Sequence, residues 1–328
     1  MEVVELGAVP GFVVFDLSGA PLSAGGTRLA ADVSVAEVAL LARAMTYKFA
    51  ALGQQVGGAK AGVRGDPADR AGKAALMTRF CAEVRPLVEA GRFVTGPDMG
   101  TSEEDLAPLR AGRAAPTAMN SVVDGVPFED VVTGYGVTVA AGTALDGGPG
   151  SAGQGWDGRS VAIEGFGKVG GGVAREVIRR GGRVVAASTV AGCVADPAGL
   201  DVGRLLGLRR EYGDDRRPDR RGAAPDVRVV APAANAPYTA EGAAVLRQRG
   251  VVALPDFVCN AGAVIGYRSA ADASPGQVLA AVEATISGLI RQALDHEDGP
   301  LAGACERAGA FLRGWWGEPP APPLALAQ

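Results

Sequence analysis

The stretch Val161-Ala162-Ile163-Glu164-Gly165-Phe166-Gly167-Lys168-Val169-Gly170 decides the fold of this 328-residue sequence. Its first four residues are a mostly apolar run that predicts a strand, and its glycines have the spacing GxGxxG at the start of a predicted helix. Glycines at this spacing permit a tight turn and let the backbone approach a pyrophosphate, whose charge the helix N-terminus favours. The order of strand, turn and helix therefore predicts a dinucleotide site, rather than a turn without a ligand, at Gly165, Phe166, Gly167, Lys168, Val169 and Gly170.

The acidic residue that usually accompanies this motif is absent. In dinucleotide-binding domains an Asp or Glu about 20 residues further on binds the adenosine ribose. Here Ser188 and Thr189 occupy that place, and the next acidic residue is Asp196. The two hydroxyls suit the ribose of NAD or the 2′-phosphate of NADP, while a weakened cofactor site is the other interpretation. The sequence predicts NAD or NADP as cofactor and leaves the choice open.

Strands and helices alternate along the chain from about residue 158. The predicted strands are Val161–Glu164, Val184–Ser188, Val227–Val230 and Val251–Leu254, and the helices between them are Lys168–Arg180, Leu200–Arg210 and Thr239–Arg249. This alternation is typical of a parallel sheet with helices on its faces. Two helices follow, one from the Ser274-Pro275 cap to about Asp295 and one over Leu301–Arg313.

The first third of the chain has a mixed α/β pattern with one strong helix. Apolar residues recur at spacings of three and four over Ser34–Leu52, where Ser34 is a suitable N-cap and Glu37 is placed to complete a capping box. The other predicted elements here are a strand at Val13–Asp16, a helix at Arg70–Gly91, a strand at Arg92–Thr95 and a helix capped by Thr101 or Ser102.

Composition excludes several classes of protein. The length corresponds to roughly two domains. The single histidine, His296, and four dispersed cysteines rule out multi-histidine zinc sites and a disulfide framework, so no metal site is expected. A net charge of −4 and a pI near 5.3 argue against nucleic acid as a partner. There is no apolar run of membrane-spanning length and no basic leader, so we expect a cytoplasmic protein without a membrane partner.

Lysine is rare in this sequence, which makes each lysine informative. Only four of the 32 basic residues are lysines, namely Lys48, Lys60, Lys73 and Lys168. Lysine differs from arginine because burial can convert it into a base. Lys48 lies on the border of the helical apolar stripe, Lys60 in the glycine-dense stretch Gly57–Gly62, and Asp98 in a glycine-proline loop. These three residues can bind a carboxylate and exchange protons, although solvated surface charges are the alternative, and Lys73 is predicted to be such a surface residue.

Seven short motifs together resemble the glutamate/leucine/phenylalanine/valine dehydrogenase family, most closely its leucine, valine and phenylalanine branch. They are Ala24–Arg28, Met45–Lys48, Gly57–Lys60, Gly96–Thr101, Thr133–Val137, Gly165–Gly170 and Pro255–Gly262. The resemblance implies an α/β fold with two domains around a cleft, an N-terminal α/β substrate domain and a Rossmann-like parallel-sheet nucleotide domain. It also implies a homo-oligomer that oxidatively deaminates an L-amino acid to a 2-oxo acid and ammonia, or runs the reverse reductive amination.

The resemblance implies roles for individual residues. Lys60 and Asp98 would be catalytic: Lys60 as the base that activates water, and Asp98 as the shuttle for the amino-group proton. Lys48 would hold the substrate α-carboxylate. The remaining substrate contacts would come from Ala24, Gly25, Gly26, Gly96, Asn260, Val264 and Tyr267. Besides the glycine motif, Ser188 and Thr189, the cofactor contacts would come from Thr133, Ala233 and Asn235.

Two positions bound the substrate side chain. Glutamate-specific members have a lysine immediately before the Gly-Gly pair, where this chain has Ala24, and a serine where it has Tyr267. Both differences predict a non-acidic amino acid, aliphatic or aromatic, as substrate.

The resemblance implies four segments. They are a substrate and oligomerisation domain over 1–135, a Rossmann-like domain over 136–270, C-terminal helices over 271–316 that return to the substrate domain, and a proline-rich tail, predicted to be disordered, over 317–328. Members of the family have two alanine-rich runs, each ending a strand, whereas this chain has the single run Ala231–Pro237 in their place. The resemblance therefore implies that one helix–strand unit of the nucleotide domain is missing. This loss and the missing ribose acid motivate one alternative, a catalytically degenerate ligand-binding or regulatory subunit. A second alternative is a reductase of a preformed imine, which would keep the cofactor site and Asp98. The retained lysines favour an amino-acid dehydrogenase.

Overall fold

The structure is a computed structural model that describes residues 1–109, 116–123, 126–147, 155–212 and 227–324. The chain forms two compact units. Unit 1 contains Met1–Ala114, Asn235–Ala240 and Cys305–Gln328, and unit 2 contains Ala115–Ala234 and Glu241–Ala304. Compactness sets these limits, which differ from those predicted for the substrate and nucleotide domains, so the functional limits stay predictions.

Unit 1 is built on a five-stranded sheet. Its elements are β1 (Glu2–Glu5), β2 (Gly11–Phe15), β3 (Ser23–Ala30), α1 (Val35–Ala51), β4 (Gly57–Arg64), α2 (Arg70–Glu89), β5 (Phe93–Pro97) and α3 (Glu103–Leu106). The strand order is β1-β2-β4-β3-β5, in which β3 is parallel to β4 and β5 while β1 and β2 are antiparallel to their neighbours. Alternate residues of each strand face opposite sides of a sheet. Accordingly, Val13, Phe15 and Leu29 pack in one core cluster, and Phe12 and Val14 pack in another with α1.

The central strand β4 is the main element that the sequence pattern did not predict as a strand. Glycine is depleted in strands, so a glycine-dense stretch resembles a loop. Here the glycines admit neighbours at close range. A Cβ on Gly58 would lie 1.9 Å from the carbonyl oxygen of Ala42 in α1, and a Cβ on Gly62 would lie 2.8 Å from the Phe12 ring. The glycine-dense stretch around Lys60, for which the sequence predicted no strand, is therefore a buried strand on which α1 packs.

Unit 2 has the predicted alternation of strands and helices. Its elements are β6 (Val122–Val123), β7 (Val126–Pro127), α4 (Phe128–Asp146), β8 (Ser160–Ile163), α5 (Lys168–Arg179), β9 (Arg183–Thr189), β10 (Gly192–Ala195), α6 (Val202–Tyr212), β11 (Val229–Val230), α7 (Ala240–Gln248), β12 (Val252–Ala253), α8 (Asp256–Cys259), α9 (Gly262–Tyr267) and α10 (Pro275–Leu294). The last helix of the chain is α11 (Pro300–Trp315). Strands β8 and β9 are parallel, as are β11 and β12, whereas β10 is an antiparallel edge strand that the pattern did not predict.

Helix α4 also went unpredicted, and it contacts α5 through glycine. A Cβ on Gly134 of α4 would lie 2.7 Å from the backbone carbon of Gly172 in α5. The pair of glycines thus allows the two helix backbones to approach each other closely.

The C-terminal tail is ordered over residues 317–324. Tyr47 Oη of α1 donates a 2.7 Å hydrogen bond to the carbonyl of Pro320, and Arg43 Nη1 donates a 2.8 Å bond to the carbonyl of Ala321. The prediction of a disordered tail is wrong for these residues, because side chains of α1 hold their backbone. Residues 325–328 lie outside the described part of the chain.

None of the helices in the described ranges is long and apolar enough to cross a membrane.

Candidate active site

An ion pair between Lys60 and Asp98 forms the centre of the candidate site. Lys60 belongs to β4 and is 4% exposed, and its Nζ lies 2.9 Å from Oδ2 of Asp98. Asp98 directly follows β5, and β3 lies between β4 and β5 in the sheet. Parallel strands therefore bring the two residues of opposite charge together, 38 positions apart in the sequence.

Gly26 of β3 leaves the space that this pair occupies, and Gly25 lets β3 lie close to β4. A Cβ on Gly26 would lie 2.9 Å from Nζ of Lys60 and 3.0 Å from Cβ of Asp98, and a Cβ on Gly25 would lie 1.6 Å from the carbonyl oxygen of Ala59. Gly26 is in register with Gly96, and Ala24 is in register with Gly58 and Val94. The substrate residues predicted in this unit thus lie on adjacent strands beside the pair.

The surroundings of Asp98 keep its carboxylate ionised. Burial by itself would raise the pKa of Asp98, but the charges of Lys60 and Arg28, with hydrogen bonds from Lys60 and from the backbone of Met99, lower that pKa to about 2. Near neutral pH, Asp98 is therefore an anion that accepts hydrogen bonds.

The loop that carries Asp98 is fastened to β3. The backbone N–H of Asp98 donates to Oγ1 of Thr101 at 2.9 Å, and that hydroxyl donates to the carbonyl of Thr27 at 2.7 Å. Gly100 has φ +79°, and a Cβ there would lie 2.0 Å from the carbonyl oxygen of Leu29. Glycine is needed at this turn, which fixes the backbone on both sides of Asp98.

Arg28 is a site residue for which the sequence predicted no role, although it ends the motif Ala24–Arg28. Its Nε lies 3.1 Å from Oδ2 of Asp98, and its Nη1 pairs with the carboxylate of Glu37. The capping box predicted for α1 is wrong in one half: Oγ of Ser34 accepts from the N–H of Glu37 at 3.2 Å, but the Glu37 carboxylate pairs with Arg28. The two-residue strand period, which places Arg28 on the same face as Gly26, is the signal that could have found it.

Lys48 is buried at the end of α1 and contacts Asn235. Lys48 is only 5% exposed, and its Nζ donates to Oδ1 of Asn235 at 3.2 Å. These two residues were predicted to bind different molecules, substrate and cofactor, yet they meet within unit 1. Among the described residues other than glycine, the neighbouring Ala236 alone has a positive φ, +48°. Such a conformation costs free energy and often marks a functional site.

The glycine motif in unit 2 has the local structure that a pyrophosphate requires. Gly165 has φ +87°, and a Cβ on Gly170 would lie 2.0 Å from the carbonyl oxygen of Gly165. Gly167 is the N-cap of α5, whose first turn holds no acidic residue, and Lys168 is exposed there. The motif residues therefore fit an anionic dinucleotide at a helix N-terminus.

Ser188 and Thr189 occupy the place of the usual ribose-binding acid, and Ser188 contacts the glycine turn. The N–H of Gly165 donates to Oγ of Ser188 at 3.3 Å, and the N–H of Phe166 donates to the carbonyl of Ser188 at 2.7 Å. Oγ1 of Thr189 accepts from the N–H of Ala191 at 3.2 Å. The Ser188 hydroxyl is thus adjacent to the turn, and Thr189 follows it as the last residue of β9.

The remaining predicted residues of unit 2 form two local groups. Asn260 is buried, and its Nδ2 donates to the carbonyls of Ala233 and Ala234 at 3.1 and 3.2 Å. Val264 and Tyr267 are half-buried and lie three residues apart on α9. Thr133, on α4, donates its hydroxyl to the carbonyl of Glu129 at 3.2 Å. In the described residues, no cluster of three or more His, Cys, Asp or Glu side chains could hold a metal ion.

Family models match most of the chain. The model described as the dimerisation domain of Glu/Leu/Phe/Val dehydrogenase matches residues 11–111. The model described as Glutamate/Leucine/Phenylalanine/Valine dehydrogenase matches residues 125–220 and 219–270. The chain belongs to the Glu/Leu/Phe/Val dehydrogenase family. It is an NAD(P)-dependent amino-acid dehydrogenase with an α/β, Rossmann-like architecture, which confirms the family, cofactor class and fold that the seven motifs predicted.

Curated relatives in this family include glutamate dehydrogenases. The glutamate dehydrogenase of Thermotoga maritima is 30% identical over 285 residues, covering 73% of this chain and 67% of the relative. The NADP(+)-dependent glutamate dehydrogenase of Pyrobaculum calidifontis is 30% identical over 287 residues, covering 74% and 67%. This dehydrogenase thus spans about two thirds of the length of these relatives. Assignment to the leucine, valine and phenylalanine branch stays a prediction.

Solved structures of the family have the same fold. The hetero-hexameric glutamate dehydrogenase of Thermus thermophilus, in its Leu-bound form, superposes with a TM-score of 0.73 at 24% identity, covering 95% of this chain and 88% of that one. Glutamate dehydrogenase from Peptoniphilus asaccharolyticus gives a TM-score of 0.67 at 24% identity, covering 93% and 87%.

The other two lysines of this dehydrogenase differ from Lys48 and Lys60. Lys73 pairs with Asp105 at 2.8 Å and is 19% exposed, so it links α2 to α3 rather than standing in solvent as predicted. Lys168 is exposed at the start of α5. The scarcity of lysine therefore drew attention to the two buried lysines, Lys48 and Lys60. By itself it did not distinguish them from Lys73, which forms an ion pair between two helices.

Proposed function

We propose that this dehydrogenase oxidatively deaminates a non-acidic L-amino acid to a 2-oxo acid and ammonia, or catalyses the reverse reductive amination. The observation that carries the proposal is the buried ion pair of Lys60 and Asp98 beside Gly26. A lysine and a carboxylate 2.9 Å apart can exchange a proton, and the absence of a side chain on Gly26 lets both groups approach the strand.

The side chains of unit 1 supply the acid–base chemistry. Lys48 binds the substrate α-carboxylate by charge. NAD(P)⁺, when bound, accepts the hydride that leaves the substrate Cα. Lys60 takes a proton from water as the water oxygen bonds to the resulting imine carbon. Asp98 carries that proton from Lys60 to the nitrogen, and ammonia leaves as the C–N bond breaks. Lys60, neutral again, takes the remaining hydroxyl proton as the C=O bond of the 2-oxo acid forms.

The residues that would hold the cofactor are those of the glycine motif and its neighbours. The positive φ of Gly165, the close approach of Gly170 and the first turn of α5 without acidic residues support binding of the pyrophosphate. Ser188 and Thr189 are our candidates for the adenosine ribose, and Thr133, Ala233 and Asn235 for the nicotinamide side.

Ala24 supports a substrate without a side-chain carboxylate. It stands where glutamate-specific members have a lysine, and a methyl group offers no charge to an anionic side chain. We further propose that Asn260, Val264 and Tyr267 contact the substrate, with Val264 and Tyr267 facing an apolar side chain. Glutamate is the competing substrate, because the curated relatives named above are glutamate dehydrogenases.

A substrate panel tests this proposal. Initial rates are measured for L-glutamate, L-leucine, L-valine and L-phenylalanine, each with NAD⁺ and with NADP⁺. We expect at least one apolar amino acid to give a kcat/KM at least tenfold above that of glutamate. The highest kcat/KM for glutamate would overturn the substrate assignment, and no turnover of any of them would favour the non-catalytic alternative.

We also propose that the chain forms a homo-oligomer. The family model that matches residues 11–111 is described as a dimerisation domain. Light scattering on the purified protein tests this, and the mass of a single 33.0 kDa chain at micromolar concentration would contradict it. The cytoplasmic location stays a prediction.

A further inference from the structure

We propose that Arg28 is a positioning residue of this dehydrogenase, whose guanidinium holds the Asp98 carboxylate beside Lys60 and ties it to α1. The role in turnover rests on the function proposed above, but the role in controlling Lys60 can be measured without turnover.

Arg28 and Lys60 bind the same oxygen of Asp98. Nε of Arg28 lies 3.1 Å, and Nζ of Lys60 2.9 Å, from Oδ2. Two cations on one carboxylate oxygen divide its negative charge between them. The proton affinity of Lys60 and that of Asp98 therefore both depend on whether Arg28 is present.

The other side of the guanidinium is anchored to α1. Nη1 of Arg28 pairs with Glu37, which lies in the first turn of α1, while Lys48 lies in the last turn of the same helix. The Arg28 side chain is 16% exposed. Arg28 thus connects strand β3, the Asp98 loop and the helix that carries the second buried lysine.

Arginine has the donor geometry that this bridge needs. Its planar guanidinium carries five N–H donors in a fixed fork, so it can bond two carboxylates at once, on different edges. A lysine ammonium is a point charge on a flexible stem and does not fix both contacts. The chain has 28 arginines, so Arg28 is distinguished by its contacts and not by being an arginine.

A second cation is needed because Lys60 changes charge in the proposed reaction. When Lys60 is neutral, Asp98, with 19% of its side chain exposed, would otherwise remain a mostly buried carboxylate without a compensating charge. Such a group is costly, and the usual response is that it takes up a proton. Arg28 does not titrate in this range, so between proton transfers it keeps Asp98 ionised in both charge states of Lys60, ready to accept the proton that Asp98 passes on.

The test compares Arg28→Gln and Arg28→Lys with a matched control, Arg92→Gln. Arg92 also belongs to unit 1 and pairs with a carboxylate, that of Glu2, but it lies over the Phe15 ring on another part of the sheet. The first readout is competitive acetylation with acetic anhydride as a function of pH, with Lys60 followed by mass spectrometry. The second is the pH profile of kcat/KM for the best amino acid of the substrate panel.

The groups that set the sign are Arg28 on β3, Lys60 on β4, Glu37 on α1 and Asp98 itself. Removing the Arg28 charge leaves Asp98 to Lys60 alone, so Lys60 holds its proton to higher pH. Asp98 also takes up a proton more readily. Both effects move the acid-side limb of the activity profile upward. We expect Arg28→Gln to move this limb to higher pH by about one unit, since an adjacent opposite charge shifts a carboxyl pKa by about 1–3 units. At a fixed pH, Lys60 of this variant should be acetylated less than in the native chain.

Arg28→Lys should restore most of the pH shift, because it keeps the charge, while kcat stays at least tenfold below that of the native enzyme. Arg92→Gln should leave both profiles in place. The inference is overturned if Arg28→Gln labels at Lys60 and titrates as the native chain does. If the native chain turns over no amino acid, the proposed function fails, while the acetylation profile still decides the role of Arg28.

Discussion

Lys60 is the residue on which the proposed chemistry depends most. Lys60→Ala removes the base but leaves Asp98 paired with Arg28, so no isolated charge remains in the core. We expect the fold to survive while kcat falls by about 10²–10⁴, the usual contribution of a positioned acid–base group. Steady-state kinetics and thermal unfolding check the two halves of this prediction.

Lys73→Gln is the matched control, because it also breaks a lysine–carboxylate pair, at 2.8 Å, but one that joins α2 to Asp105 of α3 and not to Asp98. It should change kcat less than twofold. Near-native turnover in Lys60→Ala would refute the role given to Lys60, whereas an equal loss in both variants would point to a general structural effect.

Lys60 and Asp98 could be selected from the sequence, and Arg28 could not, for a physical reason. A lysine in an arginine-dominated chain stands out, and Asp98 stands in a short glycine-proline motif that the sequence itself displays. Arg28 is one of 28 arginines and acquires its role only when β3 and β5 are paired, which brings it 3.1 Å from a residue 70 positions away. Contacts of this range are set by strand register, which a linear pattern does not contain.

At the scale of elements, helices were predicted more accurately than strands. The pattern placed α1, α2 and α10 within about two residues of their ends, because capping residues and apolar periodicity both act locally. It missed β3 and β4, whose glycines exist to let a helix and a neighbouring strand approach. The element that carries Lys60 was therefore hidden by the close packing that makes the site possible.

Gly58→Ala tests that explanation of β4. The added Cβ would lie 1.9 Å from the carbonyl oxygen of Ala42 and 2.4 Å from the backbone nitrogen of Thr46, so α1 must move away from the sheet. We expect a loss of unfolding free energy of about 1–3 kcal/mol or more, as for other overpacked cores. Urea unfolding measures it.

Gly288→Ala is the control for the element scale, since nothing lies within 4 Å of its added Cβ in α10. In a helix interior alanine is favoured over glycine by about 0.5–1 kcal/mol, so this variant should be neutral or stabilised. Equal stability of Gly58→Ala and the native chain would mean that α1 does not pack on β4 as described.

At the scale of the whole molecule, the helix–strand unit that the family resemblance predicts to be missing bears on cofactor binding. That prediction rests on the single run Ala231–Pro237 in place of two, and the described part of unit 2 has a three-stranded sheet, a parallel pair (β11 and β12) and an antiparallel pair (β6 and β7). The glycine turn and the N-terminus of α5 are nevertheless complete. Most pyrophosphate contacts in such domains come from this turn, so binding does not require the missing unit.

We therefore expect saturable binding of NADH or NADPH, measured by energy transfer from the three tryptophans to the reduced nicotinamide. Gly170→Ala should abolish it, because a Cβ there would lie 2.0 Å from the carbonyl oxygen of Gly165 and distort the turn. Gly207→Ala, whose Cβ meets nothing within 4 Å in α6, should bind like the native chain. If a folded sample binds neither nucleotide, the loss of the helix–strand unit has cost the domain its cofactor, and the alternative of a non-catalytic subunit becomes the better account. If the native chain binds one of the nucleotides and the Gly170→Ala variant binds neither, the glycine turn suffices for binding. The preference between NADH and NADPH then measures what Ser188 and Thr189 contribute in place of the usual acid.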